Sequence, residues 1–412
     1  MRIPVLMLIF SFLLLIVTDI YIVWDLRKLS LYDKYSPRTK RPGKWWIVYS
    51  VFAVLILAVL VVAACLPRRS ADREILTTMW LLYIVISVLF SQIVYVIFSL
   101  LGFIPKIVGA RRWNTGLWVG MPLAVMIFTM MWWGATVGRH QIDVEQVEIS
   151  SPRLPESFDG FKIAQISDLH VGTWGNDTSF ISRLVDRVNA LEPDVIVFTG
   201  DIVNQKSAEL KPFIQVLGRL KAEYGVLSVL GNHDYGDYVS WKSSQAKVEN
   251  LNTLREYEKS MGWQLLDNSH KVLKNNKGDS LILIGVGNWG EPPFSQYGNL
   301  KAAYPEENFH DSNFKVLLSH NPEHWNREVS KISNIDLTLA GHTHAMQIMF
   351  KVGDWKWSPS KYRYPQWAGL YNRTVSQDNS LSNLYVNIGA GEVGMPMRVG
   401  ATPEITLITL RK

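Results

Sequence analysis

The sequence predicts an α/β domain carried behind four membrane-spanning helices. Three observations lead there. Four long apolar runs occupy most of the first 139 of the 412 residues. Beyond them, short apolar runs suited to buried strands alternate with stretches that are apolar at helical spacing. Five short motifs rich in Asp, Asn and His stand where strand-type runs end. The chain accordingly divides into a transmembrane region with four helices (residues 1–139), a connector with a first edge strand (140–160) and an α/β domain (161–412).

The apolar runs are Ile3–Trp24, Trp45–Leu66, Ile75–Phe103 and Leu117–Val137. Each reaches the about 20 residues that a helix needs to cross roughly 30 Å of hydrocarbon. Trp24, Trp45, Trp46, Trp113, Trp132 and Trp133 stand near their ends, at headgroup level. The first run has no small-residue cleavage site and continues through Tyr21 and Trp24, so it is read as a span rather than a signal peptide. Asp19 and Gln92 are expected to face the bundle interior.

The net charge of +6 is unevenly placed. Up to residue 150 there are 15 Lys/Arg against 8 Asp/Glu; the remainder holds 27 against 28. The basicity therefore belongs to the membrane part, and no nucleic-acid partner is expected. The first loop carries Arg27, Lys28, Lys34, Arg38, Lys40, Arg41 and Lys44, and the third Lys106, Arg111 and Arg112. The other side has Arg2, Arg68, Arg69, Arg73 and Arg139. That excess places loops one and three in the cytoplasm and the C-terminal domain outside it. The single cysteine, Cys65, excludes an intramolecular disulfide.

In the C-terminal part, strands are expected at Phe161–Ser167, Asp194–Thr199, Val226–Leu230, Leu281–Val286, Phe314–Leu318, Asp336–Ala340, Leu384–Ile388 and Ile405–Leu410. Helical spacing marks Thr178–Leu191, with Asp177 as its N-cap, Leu210–Ala222, and a third helix through Val248, Leu251, Leu254 and Tyr257. Such alternation implies βαβ units, whose ligands collect beyond the carboxyl ends of the strands.

The five motifs sit at those ends. They are Asp168-Leu169-His170, Gly200-Asp201, Gly231-Asn232-His233-Asp234, Ser319-His320 and Gly341-His342-Thr343-His344. Residues i and i+2 of an extended chain point the same way, so Asp168 and His170 can grip one ion together. Carboxylate and imidazole donors without thiolate suit Mn, Fe or Zn and argue against a closed structural zinc site. Asp201 is the natural bridge between two ions, and Asn232 would bind one without adding charge. A pair of ions about 3.5–4 Å apart can hold phosphate oxygens and lower the pKa of a shared water, giving a bridging hydroxide for in-line attack. His233 is the spare histidine, suited to stabilising or protonating the leaving oxygen. Asp234 is read as orienting it. Gly200, Gly231 and Gly341 clear space where backbone passes close. His140, His270, His310 and His324 fit no motif and are read as surface or connector residues.

Taken in order, these motifs resemble those of the calcineurin-like metallophosphoesterase superfamily over residues 142–412, and the chain is similar to its bacterial membrane-associated branch. The resemblance implies a two-sheet αββα sandwich. It implies one ion on Asp168, His170, Asp201 and His344, another on Asp201, Asn232, His320 and His342, and His233 as the catalytic histidine. The two metals would be divalent or trivalent. The segments Pro403-Glu404-Ile405-Thr406-Leu407 and Ala368-Gly369-Leu370-Tyr371 add to the likeness. Two departures stand out: Ala345-Met346 where the branch usually has two glycines before Gln347, and Asn387-Ile388-Gly389-Ala390-Gly391 where an Arg-Gly segment is common. The implied function is hydrolysis of a phosphodiester, pyrophosphate or phosphomonoester bond in a phosphorylated, lipid-linked substrate. The implied setting is the bacterial inner membrane, with the bilayer as partner. The rival is a non-catalytic membrane sensor or scaffold that binds a phosphorylated ligand. The aromatic and basic stretch Trp355–Trp367 leaves two readings open, a loop resting among headgroups or one packed on the sandwich.

Overall fold

The computed structural model describes residues 5–28, 44–66, 75–110, 112–292, 294–304, 313–332, 334–353, 355–375 and 381–412. Arg2, Lys34, Arg38, Lys40, Arg41, Arg68, Arg69, Arg73, Arg111 and His310 lie outside them. The chain falls into two compact units: Met1–Thr136 with Gly394–Pro396, and Val137–Val393 with Met397–Lys412.

In the first unit, four segments are helical, long and apolar enough to span a bilayer: Leu8–Arg27, Trp45–Cys65, Leu76–Val108 and Gly116–His140, the last running into the second unit. The fourth opens on a π turn, Gly116–Gly120, before regular helix at Met121–Thr136. A Cβ at Gly116 would lie 2.7 Å from the Ser99 Cβ, and one at Gly120 would lie 2.9 Å from the Phe98 Cβ. This small-xxx-small pair lets two backbones approach closely, as membrane helices require when no hydrophobic effect pulls them together. Asp19 and Gln92 do face inward: Asp19 Oδ1 accepts from Tyr49 Oη at 2.7 Å and Gln92 Nε2 at 2.9 Å. Asp25 of the first span is also paired, its Oδ1 meeting Nη1 of Arg112, from the segment before the fourth span, at 2.6 Å. Arg112 lies just past an apolar run, so composition alone hides its reach.

The second unit holds two six-stranded sheets. The first has the order β1-β14-β2-β3-β4-β5. Its strands are β1 (Asp143–Ser150), β2 (Lys162–Ile166), β3 (Val195–Phe198), β4 (Val226–Ser228), β5 (Trp263–Leu265) and β14 (Glu404–Arg411). The second has the order β12-β13-β9-β8-β7-β6. It comprises β6 (Ser269–Lys274), β7 (Ser280–Gly285), β8 (Lys315–Leu318), β9 (Leu337–Ala340), β12 (Gly369–Thr374) and β13 (Leu381–Val386). A separate hairpin pairs β10 (Phe350–Val352) with β11 (Trp355–Trp357). β2, β3, β4 and β5 run parallel, as do β7, β8, β9 and β13.

Alternation along each strand sorts the core into three layers. Ile163, Val195, Val197 and Leu227 meet Leu281, Leu283, Val316 and Leu339 between the sheets. The opposite faces of β2 and β3, with Ala164, Ile166, Ile196 and Phe198, pack on Ile181, Leu184, Val185 and Val188 of the helix Ser179–Asn189. Ile282, Ile284 and Leu317 pack outward on Trp325 and Val329. The unit is therefore an αββα sandwich, as expected.

Three local expectations need correction. The helix expected over Leu210–Ala222 is a 3₁₀ segment, Ser207–Phe213, followed by one α turn, Ile214–Leu217. Pro212 has no N–H to donate and breaks the regular ladder. Asp177 accepts from the Ser179 N–H at 2.9 Å but lies one residue outside the N-cap, which is Thr178. His324 is fully buried, bonded to Ser319 Oγ at 2.9 Å and stacked on Trp289.

Candidate metal centre

The carboxyl ends of β2, β3 and β4 in one sheet, and of β8 and β9 in the other, deliver the five motifs to one place. Three groups of donors have their atoms within 4.8 Å of one another: Asp168, His170 and His344; His170, Asp201 and His233; Asp201, His320 and His342. Asn232 joins the last through its Oδ1, 3.1 Å from His320 Nε2. All seven residues expected as ligands, and His233, are thus brought together. Asp201 belongs to two of the groups.

Local backbone makes this convergence possible. Asp168, His170, Asp201, His342 and His344 all have positive φ, between 41° and 74°. Only a few per cent of non-glycine residues do so, at a cost of order 1–3 kcal/mol each. The glycines give way at the contacts. A Cβ on Gly231 would stand 2.2 Å from Asp201 Oδ1, and one on Gly341 2.3 Å from Asp168 Oδ2.

The hydrogen bonds assign the ring nitrogens. A carbonyl only accepts, so the 2.7 Å contact of His320 Nδ1 with Thr199 O puts the proton on Nδ1. His320 Nε2 faces Asp201 Oδ2 at 3.1 Å; burial works to lower this imidazole, but Asp201 raises it to about 9, so without an ion the ring carries a proton on Nε2 as well. His342 turns Nδ1 inward, 3.2 Å from His320 Nε2, while its Nε2 meets Tyr364 Oη at 2.9 Å. His170 Nε2 and His344 Nε2 are 3.1 Å apart, and Asp168 Oδ1 is 3.1 Å from His344 Nε2. Donor atoms around an ion at about 2.1 Å stand about 3.0 Å apart in octahedral and about 3.4 Å apart in tetrahedral geometry. The observed spacings fall in that range, so the residues fit a pair of ions.

The electrostatics favour an ionised Asp201 and neutral His342 and His233, while His320 must shed its Nε2 proton to ligate. Burial works to raise the Asp201 carboxyl, but His320, His233 and His170 hold it well below the usual range. Burial and the neighbouring His320 lower His342 to about 3. Burial also lowers His233, against the pull of Asp201. A neutral imidazole and an ionised carboxylate are the ligating forms.

Groups outside the motifs hold the centre. His233 Nδ1 lies 2.7 Å from Asn204 O, so this ring too is held with Nδ1 protonated. Asp234 does not orient that ring. Its carboxylate accepts from the backbone N–H of Asp201, Ile202, Val203 and Gly231 at 2.8–3.2 Å. Glu209 takes the next three, accepting from Asn204 at 2.7 Å, Gln205 at 3.3 Å and Lys206 at 3.1 Å. Two buried carboxylates therefore capture six consecutive amides, 201–206, and fix both Asp201 and the Asn204 carbonyl. Arg398, fully buried, donates Nη2 to His344 Nδ1 at 3.2 Å and spans the carbonyls of Ile388, Gly391 and Ala401. Burial lowers it to about 10. Glu209, Arg398 and Tyr364 stand outside the motifs. None of the three carries a local sequence signal: Glu209 lies three residues after Lys206 at a helix start, but a lysine side chain has no acceptor with which to complete a capping box.

A αββα sandwich with paired Asp/His donor groups at the strand ends defines the metallophosphoesterase class. Residues 161–346 match the calcineurin-like phosphoesterase family, and residues 1–139 match the transmembrane domain of probable calcineurin-like phosphoesterases, a four-span family. The metallophosphoesterase YkuE of Bacillus subtilis is 30% identical over 66% of this chain and 86% of its own length. An uncharacterized metallophosphoesterase of Campylobacter jejuni is 25% identical over 98% of both chains. The UDP-2,3-diacylglucosamine pyrophosphatase LpxG of Chlamydia muridarum is 29% identical over 48% of this chain and 68% of its own length. This chain belongs to the calcineurin-like metallophosphoesterases and is a membrane protein of that family.

Proposed function

We propose that the chain hydrolyses a phosphodiester or pyrophosphate bond in a lipid-linked substrate. The observation that carries this is the convergence of seven donor residues, with a histidine that need not ligate held beside them by Asn204. Asp168, His170, Asp201 and His344 would hold one ion; Asp201, Asn232, His320 and His342 would hold the other. Manganese, iron and zinc suit these nitrogen and oxygen donors. When bound, the two ions supply Lewis-acid charge for the phosphate oxygens and activate the nucleophile. His233, with Nδ1–H bound to Asn204, presents Nε2 to hold or donate a proton at the leaving oxygen. Asp201 Oδ1 is occupied by the His233 N–H at 2.8 Å, so one residue links both roles.

A lipid-linked substrate is supported by the four spans and by the relative LpxG, a pyrophosphatase of UDP-2,3-diacylglucosamine. On the loop charges, residues 161–412 work outside the cytoplasm of a bacterial inner membrane, behind the connector 140–160 and the transmembrane region 1–139. The test is hydrolysis of an aryl phosphodiester by the purified full chain with added manganese, followed by a screen of lipid phosphates and nucleotide-linked lipids. Asp201→Asn and His233→Ala are expected to abolish turnover. Full activity in both variants overturns the mechanism, and phosphorylated-ligand binding without product from the native chain overturns catalysis. Protease accessibility in spheroplasts tests sidedness.

A further inference from the structure

The hairpin of β10 and β11 presents an exposed apolar face. Its register pairs Phe350 with Trp357, Lys351 with Lys356 and Val352 with Trp355. Alternation therefore puts Phe350, Val352, Trp355 and Trp357 on one face and the two lysines on the other. The lysine face borders a cleft but stays open to solvent, with the Lys351 side chain 51% exposed. Lys351 and Lys356 line a cavity with Asp143, Glu145 and Glu404, and Lys351 Nζ lies 4.0 Å from Glu145. The apolar face turns outward, with Val352 74%, Trp355 58% and Phe350 41% exposed. In the turn that follows, Tyr362 is 77% exposed, and the cations Lys361 and Arg363 are exposed beside it. The hairpin is paired to neither six-stranded sheet. Two-stranded hairpins are marginal in water on their own, and a contiguous exposed apolar face marks an interaction site.

We propose that this face docks on the bilayer interface, with Trp355, Tyr362, Val352 and Phe350 at headgroup level and Lys361 and Arg363 against anionic lipid. Trp and Tyr are the side chains enriched at that depth. Each cation near an anionic surface adds about 1 kcal/mol. The chain is already a membrane protein, so the surface is within its reach. A second copy is a poorer occupant, because two strands of three residues fall short of the roughly 800 Å² per partner of a stable interface. The hairpin is tied to the metal centre at both ends. β10 follows the turn that begins at His344, and the 3₁₀ turn Pro359–Tyr362 leads to Tyr364, whose hydroxyl meets His342. Docking would hold the mouth of the centre at headgroup depth.

The proposal does not depend on turnover, and its test reads fluorescence instead. The full chain carrying Cys65→Ser and Val352→Cys is labelled with a polarity-sensitive dye and placed in lipid nanodiscs. The expected result is a blue shift and several-fold quenching by nitroxides on the lipid headgroup. Both strengthen when phosphatidylglycerol replaces part of the phosphatidylcholine. A label at Lys277→Cys, on an exposed turn between β6 and β7, shows neither. Trp355→Glu is expected to weaken the quenching at position 352 while leaving hydrolysis of a soluble aryl phosphodiester unchanged. A Val352 label as open to aqueous quencher as the Lys277 label, and blind to lipid nitroxides, overturns the proposal. So does shielding that appears only in discs holding two copies, which would assign the face to self-association.

Discussion

Glu209→Gln tests whether the captured loop aims His233. The carboxylate accepts three backbone N–H groups, two on Oε2 and one on Oε1. A glutamine oxygen can keep the pair from Asn204 and Gln205, but its amide then faces the Lys206 N–H, donor against donor. One lost bond in a buried site costs about 1–3 kcal/mol. Against this stands the cost of the charge itself. Burial raises Glu209 from 4.5 to about 7, although the three N–H groups pull it down. A carboxyl raised in the folded state contributes fully below about 4.5 and loses that contribution as the pH climbs through 7. The loss is about 3 kcal/mol, from 1.36 kcal/mol per pH unit. Glutamine does not titrate. Denaturant unfolding of the detergent-solubilised chain from pH 5 to 8 should therefore show native stability falling by about that amount relative to the variant. At pH 8 the variant should be near native in stability yet roughly five- to tenfold slower, because the Asn204 carbonyl is less firmly held and a tenfold rate is about 1.4 kcal/mol. Its metal content should not change. Parallel pH profiles, or a native rate at pH 8, refute the idea that Glu209 positions His233.

Arg398→Met releases the carbonyls of Ile388, Gly391 and Ala401, and with Gly391 the turn whose N–H donates to Asp168 O. Metal analysis should show one of the two ions bound ten- to a hundredfold more weakly, the usual effect of losing a group behind a ligand; two equivalents held at native affinity contradict this. Chelation should lower the unfolding temperature, and manganese at roughly a thousand times its Kd should restore about 4 kcal/mol. Met346→Gly should stabilise the chain by about 0.5–1 kcal/mol. The left-handed cost it relieves is about 1–2 kcal/mol, and glycine's extra entropy takes back about 0.5–1. A fall in unfolding temperature would count against strain at this position.

Strands were legible where apolar residues ran continuously and ended at a motif. β2, β3, β8 and β9 are buried on both faces and lie within the expected ranges. β6 and β12 escaped because they are edge strands with mixed polarity, Ser269-His270-Lys271 and Tyr371-Asn372-Arg373 among them. β5 has three residues, too few for a period to register. The site was legible to the extent that side chains make it. Asp168 through His344 announce themselves as donors, and their convergence follows from strand ends meeting. What fastens them was hidden, since Asp234 and Glu209 act on backbone N–H groups, which every residue has. Arg398 lies 54 positions from His344 in sequence, and nothing local links the two.

The ligand loops and their fastenings form one mechanical argument. Five of the converging donor residues hold positive φ, and the run His344-Ala345-Met346-Gln347 continues it with four left-handed residues in succession. This run contains one of the two departures from the resemblance: alanine and methionine stand where glycines would sit without strain. The chain tolerates them because the surroundings leave no alternative. Ala345 is fully buried against Trp367, Ile388 and Ala401. Gln347 donates Nε2 to Met397 O at 3.0 Å and accepts at Oε1 from the Val393 N–H at 2.7 Å. His344 has Arg398 on one nitrogen and Asp168 beside the other. Strain of this kind survives only where packing over-determines the backbone. Without an ion, ring nitrogens 3.1–3.2 Å apart share protons in hydrogen bonds, His170 with His344 and His342 with His320. The folded chain thus spends stability to keep donors in place before any ion arrives. An ion would then find its donors in place without reorganisation of the loops.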